Sequence, residues 1–553
     1  MKNPESTHPV KLARFPTVRR LGRALFSRKM LYAVLALITF VMLLYAVENF
    51  RGARSWENYR KDAEARGIKL DFAAHIPPPV PDAENGANTP LIQSWFLRPK
   101  SDDTNAWAEL RRQETNRWPA KHSLASGKLT IKRRTTGSGS QDDRFLTDLV
   151  AWQQAFARLQ EPQVKDAKPI VRNSHGTNLD APEQAKAAVA VLEELKAYEP
   201  AIAELRAMSA RSKIRYPVNY KLDEPFSTTL PHLAKMKGIV QTLSLQACAE
   251  LAAGQTERAF QDVRLMLWLG DSLIDDPVLI GLLVRIACQQ IATQPIWEGL
   301  GRHQWSEEQL KEFQERLLRV NYAQSAQRSM DGERAGALTF IQWVRKQKNL
   351  GDTMASMFAS EEDSPITPAN QAAFNVAGRF VPRGWFYFET ANFGQLMDVQ
   401  FRNAWDSESK VFHPQSNIEN DKRLQELFGR DWELGVLHHQ WFARLLLPAL
   451  GRTAWKSARA QSTAHQAALA CALERFYLAE GKYPAALTEL VPKYLAKVPH
   501  EVVSSEPMRY RAENGGYVLW SAGWDGVDEG GIFLRPAKDG QPEHGDWVWR
   551  SVP

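Results

Sequence analysis

Residues 30–47 read MLYAVLALITFVMLLYAV, eighteen consecutive residues without a charge. As a helix rising ~1.5 Å per residue, this segment would span roughly 27 Å, close to the hydrocarbon thickness of a bilayer. Tyr32 and Tyr45 sit near its two ends, where amphipathic rings favour the membrane–water interface. On its N-terminal side, residues 1–29 carry eight bases (Lys2, Lys11, Arg14, Arg19, Arg20, Arg23, Arg28, Lys29) against Glu5 alone. That surplus equals the formal charge of the whole chain, +7, so the remaining residues balance. Residues 48–67 hold Arg51, Arg54, Arg60, Lys61 and Arg66 against four acids. The Lys/Arg asymmetry predicts a cytoplasmic tail, with everything after residue 50 on the far side of the membrane. A cleaved signal peptide competes with this reading, but its apolar core would be long. No small-x-small cleavage site follows directly in YAVENFRGARSW. The expectation is a single-pass signal anchor in a bacterial inner membrane, with the bulk of the chain periplasmic and residues 30–47 in contact with lipid.

Working outward, the rest of the chain has ordinary globular composition. Apolar residues make up 44% and charged residues 24% of 553, which excludes disorder, collagen and a polytopic membrane protein as descriptions of the whole. Because the basic excess sits in the tail, a nucleic-acid surface on the folded part is not expected. The one dense basic cluster there, residues 128–134 (KLTIKRR), reads as a solvated strand or loop. Three cysteines are too few for a disulfide scaffold or a Cys-rich zinc site. Cys248, Cys288 and Cys471 lie in apolar helical settings and read as buried thiols, with a Cys248–Cys288 disulfide as the alternative.

The punctuation divides the chain into a basic tail (1–29), an anchor (30–50) and a juxtamembrane helix with a Pro-rich linker (51–90). These are followed by a mixed region (91–180), an α-helical domain (181–320), an irregular, aromatic region (321–435) and a C-terminal unit (436–553). Residues 48–67 can continue the anchor helix to a stop at Gly67. Residues 75–90 (HIPPPVPDAENGANTP) enforce extended geometry and then turns. Residues 107–118 read as helical and 135–143 (TTGSGSQDD) as a flexible loop. Helical patterns cover residues 183–198, 238–253, 256–269, 278–293 and 306–320. Ser306 is placed to cap the last of these, with Glu307 and Glu308 in its first turn. The helical domain has a solenoid-like pattern without a 34-residue self-repeat. Residues 351–370 read as a loop and 384–393 (GWFYFETANF) as an aromatic block. Long helices are expected at 435–446 and 453–480, interrupted at Pro448 and Gly451. Strand patterns follow at 508–511, 516–521, 532–535 and 547–552, with Asn514-Gly515 as a hairpin signal. The expected fold class is mainly α with a C-terminal α+β module: a transmembrane helix, a helical middle, then a long helix and a small antiparallel sheet.

Residues 470–499 (ACALERFYLAEGKYPAALTELVPKYLAKVP) and 508–531 (MRYRAENGGYVLWSAGWDGVDEGG) carry a resemblance. They resemble the C-terminal half of the major pseudopilins of type II secretion. In that family a long helix runs into a GxYP turn, a "LV…YL…P" segment follows, and an S-x-G-x-D-G-x-x-G-G loop closes a small sheet. The matching positions are Gly481, Tyr483, Pro484, Leu490, Val491, Tyr494, Leu495 and Pro499, then Ser521, Gly523, Asp525, Gly526, Gly530 and Gly531. The resemblance covers about 90 residues at the C-terminal end. No prepilin cleavage motif precedes the anchor, and His500-Glu501 stands where the family has Asp-Pro. The chain as a whole looks like bacterial single-pass membrane proteins with a basic tail, an anchor, an IPPPVPD-like linker, a helical middle and this last module. The resemblance implies calcium in the last loop, through Asp525 and Asp528 with Ser521 and Glu529 as nearby oxygen donors. Hard cations take several such oxygens, whereas a glycine-rich hairpin with solvated acids has the same sequence.

No nucleophile elbow, P-loop, dinucleotide fingerprint or HExxH occurs in the chain. His438 and His439 are adjacent, so on a helix they point ~100° apart and do not chelate one ion together. Asp275-Asp276 precedes Pro277 at a helix start, where capping alone favours acids. Trp385, Phe386, Tyr387 and Phe388, or Trp547 with Trp549, could stack on sugar faces, although core packing is the simpler account. The expected function is a non-catalytic interaction or scaffold protein of the cell envelope or secretion machinery, binding an envelope protein or cell-wall glycan. The alternative is an envelope hydrolase or glycan-binding protein whose paired carboxylates come from facing elements and leave no local motif.

Overall fold

In the computed structural model the apolar segment does not stop at residue 47. It continues as one helix, α1 (Arg28–Ala65), and ends at Gly67, whose φ of 79° breaks the helix. None of its apolar window is buried, and Leu37, Phe40 and Leu43 are each exposed by 60% or more. This N-terminal helix is long and apolar enough to cross a membrane. The structure describes residues 28–97, 118, 132–133, 146–160, 171–172, 182–211, 213–220, 228–358, 367–429, 438–534 and 544–551. Expectations for residues 1–27, 107–117 and 135–143 lie outside them.

The described helices after α1 are, in order, α2 (Pro90–Trp95), α3 (Leu149–Gln160), α4 (Pro182–Leu195), α5 (Glu199–Ser209), α6 (Pro231–Ala252), α7 (Thr256–Asp271), α8 (Leu279–Gly301) and α9 (Glu307–Arg319). Then follow α10 (Tyr322–Lys346), α11 (Leu350–Phe358), α12 (Pro368–Phe380), α13 (Trp385–Gln400), α14 (Pro414–Phe428), α15 (Trp441–Leu450) and α16 (Thr453–Glu480). Strands β1 (Lys132–Arg133) and β2 (Val171–Arg172) pair in parallel, and β3 (Trp405–Asp406) pairs with β4 (Val411–Phe412) in a short hairpin. The C-terminal sheet is antiparallel in the order β5 (Arg509–Glu513), β6 (Gly516–Ser521), β7 (Trp547–Arg550). The protein is therefore mainly helical with a small three-stranded antiparallel sheet near its C-terminus.

Several elements follow directly from local chemistry. Ser306 accepts from the Gln309 amide while the Gln309 side chain accepts from the Ser306 amide, a reciprocal cap that starts α9. Gly481 ends α16 in the left-handed conformation and its amide bonds the Tyr477 carbonyl at 2.8 Å. Asn514 and Gly515 both have positive φ, which a two-residue turn between right-twisted strands requires. Other elements depart from expectation. The described residues of the stretch 321–435, read as irregular, hold five helices, α10 to α14, and residues 351–358 belong to α11 rather than to a loop. Its aromatic block is the start of α13, in which apolar residues lie on all sides and leave no stripe to read. α8 runs through Pro295 to Gly301 instead of ending at residue 293, and α15 includes Pro448. Of the strand expected at 532–535, residue 535 lies outside the described residues, and the described residues 532–534 contribute one bridge, Phe533 to Gly545, and no strand.

The chain divides into two compact units: Met1–Asp62 with Val344–Asn392, and Ala63–Trp343 with Phe393–Pro553. In the first, α11 packs on α12, and Trp385 donates its indole N–H to Glu48 at 3.1 Å. In the second, α6, α7 and α8 pack side by side, and α8 and α9 lie against α16. α16 is buried along most of its length, from Thr453 to Arg475, and β6 and β7 lie against it as well. α8 also passes for a membrane span by composition, but it is mostly buried inside this core.

Within that core Glu250 of α6 and Asp262 of α7 are fully buried. Arg258 approaches Glu250 at 3.2 Å, and Arg206 pairs with Asp262. Burial raises both carboxyls, and the Asp262 charge raises Glu250 further, against the pull of the arginines. A raised folded-state value means that the fold holds these protons more tightly than the unfolded chain. The pair therefore supports the fold in acid and loses that support as pH climbs past the raised values. Thermal unfolding of Glu250→Gln is expected to show a flatter decline toward alkaline pH than the parent. An unchanged slope would assign the decline elsewhere.

Candidate functional site

The loop that follows β6 is the place where sequence reasoning put its ligands. Its path is set by close backbone approach. A Cβ on Gly523 would lie 2.1 Å from the Gly545 carbonyl oxygen, and Gly523 has φ of +65°. Only glycine fits there. Around this crossing the chain threads its acids. Asp525 accepts from the amides of Val527 at 3.2 Å and Gly545 at 3.0 Å, with the His544 ring 3.6 Å away. Asp528 accepts from the Gly530 amide and the Trp520 indole, both at 2.9 Å, and pairs with Arg509 at 2.8 Å. Burial alone would raise Asp528, but these hydrogen bonds and the Arg509 charge outweigh it and hold the carboxyl low. Both aspartates thus build the loop, and all four of their oxygens have protein donors or a cationic neighbour.

The unpartnered oxygens belong to other residues. Ser521 Oγ, Glu529 Oε2 and Asp546 Oδ1 are buried without a hydrogen-bond partner. Asp546, fully buried just before β7, uses its other oxygen for the amides of Gly531 at 2.6 Å and Ile532 at 3.2 Å. Burial raises Asp546, partly opposed by these amides, and the Asp528 charge raises it further. Glu529 is likewise raised by burial, then by the charges of Asp525, Asp546 and Asp528. These carboxylates therefore act on one another, which a cation would relieve. Among the described residues no three carboxylate, imidazole or thiol groups converge at metal-holding distance. Of the four residues expected as ligands, Ser521 and Glu529 keep a free buried oxygen, while Asp525 and Asp528 face protein donors. Asp546 was missed because only the β6–β7 pairing, with Ser521 opposite Trp547, brings it beside the loop.

Other polar groups, some of them singled out by the sequence, have structural partners. His303 Nδ1 stands 2.7 Å from Glu474, and the Tyr483 hydroxyl donates to the other Glu474 oxygen at 3.1 Å. Burial raises Glu474, which His303 and Tyr483 pull back. The Tyr483 ring packs between Tyr477 and Tyr517, so the GKYP turn is clamped to α16 and to the sheet. Asp276 accepts from the Val278 amide at 3.3 Å, and Asp275 pairs with Arg328. Cys248, Cys288 and Cys471 are free and buried, so the alternative Cys248–Cys288 disulfide is not formed. Burial pushes the Cys288 thiol up to about 12. Trp547 and Trp549 are core residues, not a sugar-stacking surface. Compared with known proteins, the chain matches no family model, no curated protein and no solved structure.

Proposed function

We propose that the chain is a non-catalytic, membrane-anchored binding protein of the bacterial cell envelope or its secretion machinery, with its body in the periplasm. The observation that carries this reading is α1, whose apolar half is uncovered on its whole circumference although the protein has cores of its own. Leaving so much apolar surface in water is costly at ~25 cal/mol per Å², and a bilayer removes that cost. The basic residues that precede the helix orient it with the tail inside. The module formed by α16 and β5–β7 is the surface offered to an envelope protein or to cell-wall glycan, by analogy with the pseudopilins it resembles.

The test is crosslinking in intact cells followed by purification of the full-length chain from the membrane fraction. An intact N-terminus and a stoichiometric envelope protein partner are expected. A mature chain that begins beyond residue 50 would make α1 a cleaved signal. Recovery of cell-wall fragments alone would favour a glycan-binding protein or an envelope hydrolase.

Calcium held by Ser521 and Glu529 of the loop with Asp546 from beside it is a separate part of the proposal, since hard oxygens that lack a hydrogen-bond donor suit that ion. Saturating calcium is expected to raise the melting temperature of the chelator-treated full chain by about 5 °C. Asp546→Asn is expected to remove that rise. Equal melting with and without calcium would withdraw the ion and leave the anchor reading standing.

A further inference from the structure

A cavity of about 720 Å³ opens between α9, the β3–β4 hairpin, α16 and residues 492–500. That size lies in the range of small-molecule sites, and Leu318, Pro492, Leu495 and Pro499 give it apolar wall. Its charge is uneven. Four lysines line it against two carboxylates, Glu315 and Glu408. Arg475 also reaches it, but its guanidinium is already held by Glu307 at 2.6 Å. Among the described residues Lys311, Lys410 and Lys497 form no ion pair.

Lys410 is the most constrained of these. It sits in the β3–β4 turn with φ of 59°, a conformation that residues with a side chain rarely adopt. Its ammonium is half-buried and tied to the Leu318 carbonyl at 2.8 Å. Burial, and then the Lys497 charge, lower its proton affinity. A partly desolvated ammonium beside a second one, with no carboxylate bonded to either, is an electrostatic vacancy for an anion. The neighbouring imidazoles do not fill that role. His465 is buried, its ring engaged by Gln461 and by the His500 carbonyl, and burial lowers it to about 4, so it is neutral. His500 points Nδ1 at the Glu501 carbonyl.

We infer that this cavity is a binding site for a phosphorylated organic molecule, its phosphate between Lys410 and Lys497 and its carbon body along Leu318, Pro492 and Leu495. Compact ammonium groups suit a tetrahedral oxyanion, which makes no planar bidentate demand, and the one guanidinium at the site is already committed. The assignment is independent of the anchor and of the calcium loop.

The test is calorimetric titration of the detergent-solubilised full chain with glycerol 3-phosphate and with inorganic phosphate, at constant ionic strength. Saturable binding of glycerol 3-phosphate is expected, tighter than that of inorganic phosphate. Lys410→Gly relieves the strained turn while removing the ammonium, so it is expected to melt no lower than the parent and to weaken binding about tenfold or more. Lys497→Met should weaken binding to a similar degree. Repeating the titration in nanodiscs separates the sources. Loss of uptake in phosphatidylglycerol but not phosphatidylcholine discs would identify a lipid headgroup as the phosphate, and equal uptake in both would identify a soluble ligand. Absence of binding tighter than roughly 1 mM, or binding unchanged by both substitutions, would overturn the inference.

Discussion

Glu501→Ala is expected to destabilise the protein by about 3–5 kcal/mol, the usual consequence of leaving buried charge-pair partners without their acid. Glu501 is fully buried at the entrance to the C-terminal sheet. One of its oxygens accepts from the Ala522 amide at 3.2 Å and from Arg509, and the other from the Ser504 hydroxyl. Alanine would strip the buried Ala522 amide of its acceptor and deprive Arg509 of its inner partner. Only Asp528, at 2.8 Å, would remain to hold the guanidinium. Glu501→Gln keeps an acceptor of the same shape and is expected to cost clearly less. Chemical denaturation of the two variants, with hydrogen exchange at Ala522, checks both statements. Equal losses would mean that shape rather than hydrogen bonding sets the cost.

Gly332→Ala is expected to cost about 3 kcal/mol, toward the upper end of overpacking effects. A Cβ at this position would stand 1.9 Å from the Pro277 carbonyl oxygen and 2.8 Å from its carbon. The obstacle is main chain, so α10 or the start of α8 must move. Gly336, four residues later on the same helix, provides the control. Its added Cβ would meet nothing closer than Phe72 at 3.6 Å. There alanine should be neutral or stabilising by up to about 1 kcal/mol, because it relieves the entropic cost of a mid-helix glycine. Opposite effects from one substitution a turn apart are the expected result. Similar effects at both sites would refute the close approach.

The contrast between legible and illegible parts has physical causes. Features closed by residues adjacent in sequence could be read: the Ser306 cap, the Gly481 stop, the Asn514-Gly515 turn and the uncharged run at 30–47. Features that depend on tertiary context could not. Pro295 continues a helix because the surrounding core holds α8 together. Between residues 322 and 428, α13 carries apolar side chains on every face, so no single period stands out there, whereas α10, α11, α12 and α14 are amphipathic and their period went unread. At the candidate site the acids written into the loop were visible, but their engagement by Trp520, Arg509 and Gly545 was not. The buried oxygen of Asp546 comes from beyond the loop, brought in by strand pairing, and no spacing rule links it to Ser521.

The double duty of α16 has a mechanical corollary. Because one helix forms the wall of both the helical core and the sheet, the last hundred residues have no seam along which to detach. Pulling on the C-terminus, in an optical trap or through a bound partner, should therefore meet a single high-force rupture instead of the sheet peeling away at low load. A protein that must hold its grip under load would gain from such all-or-none yielding.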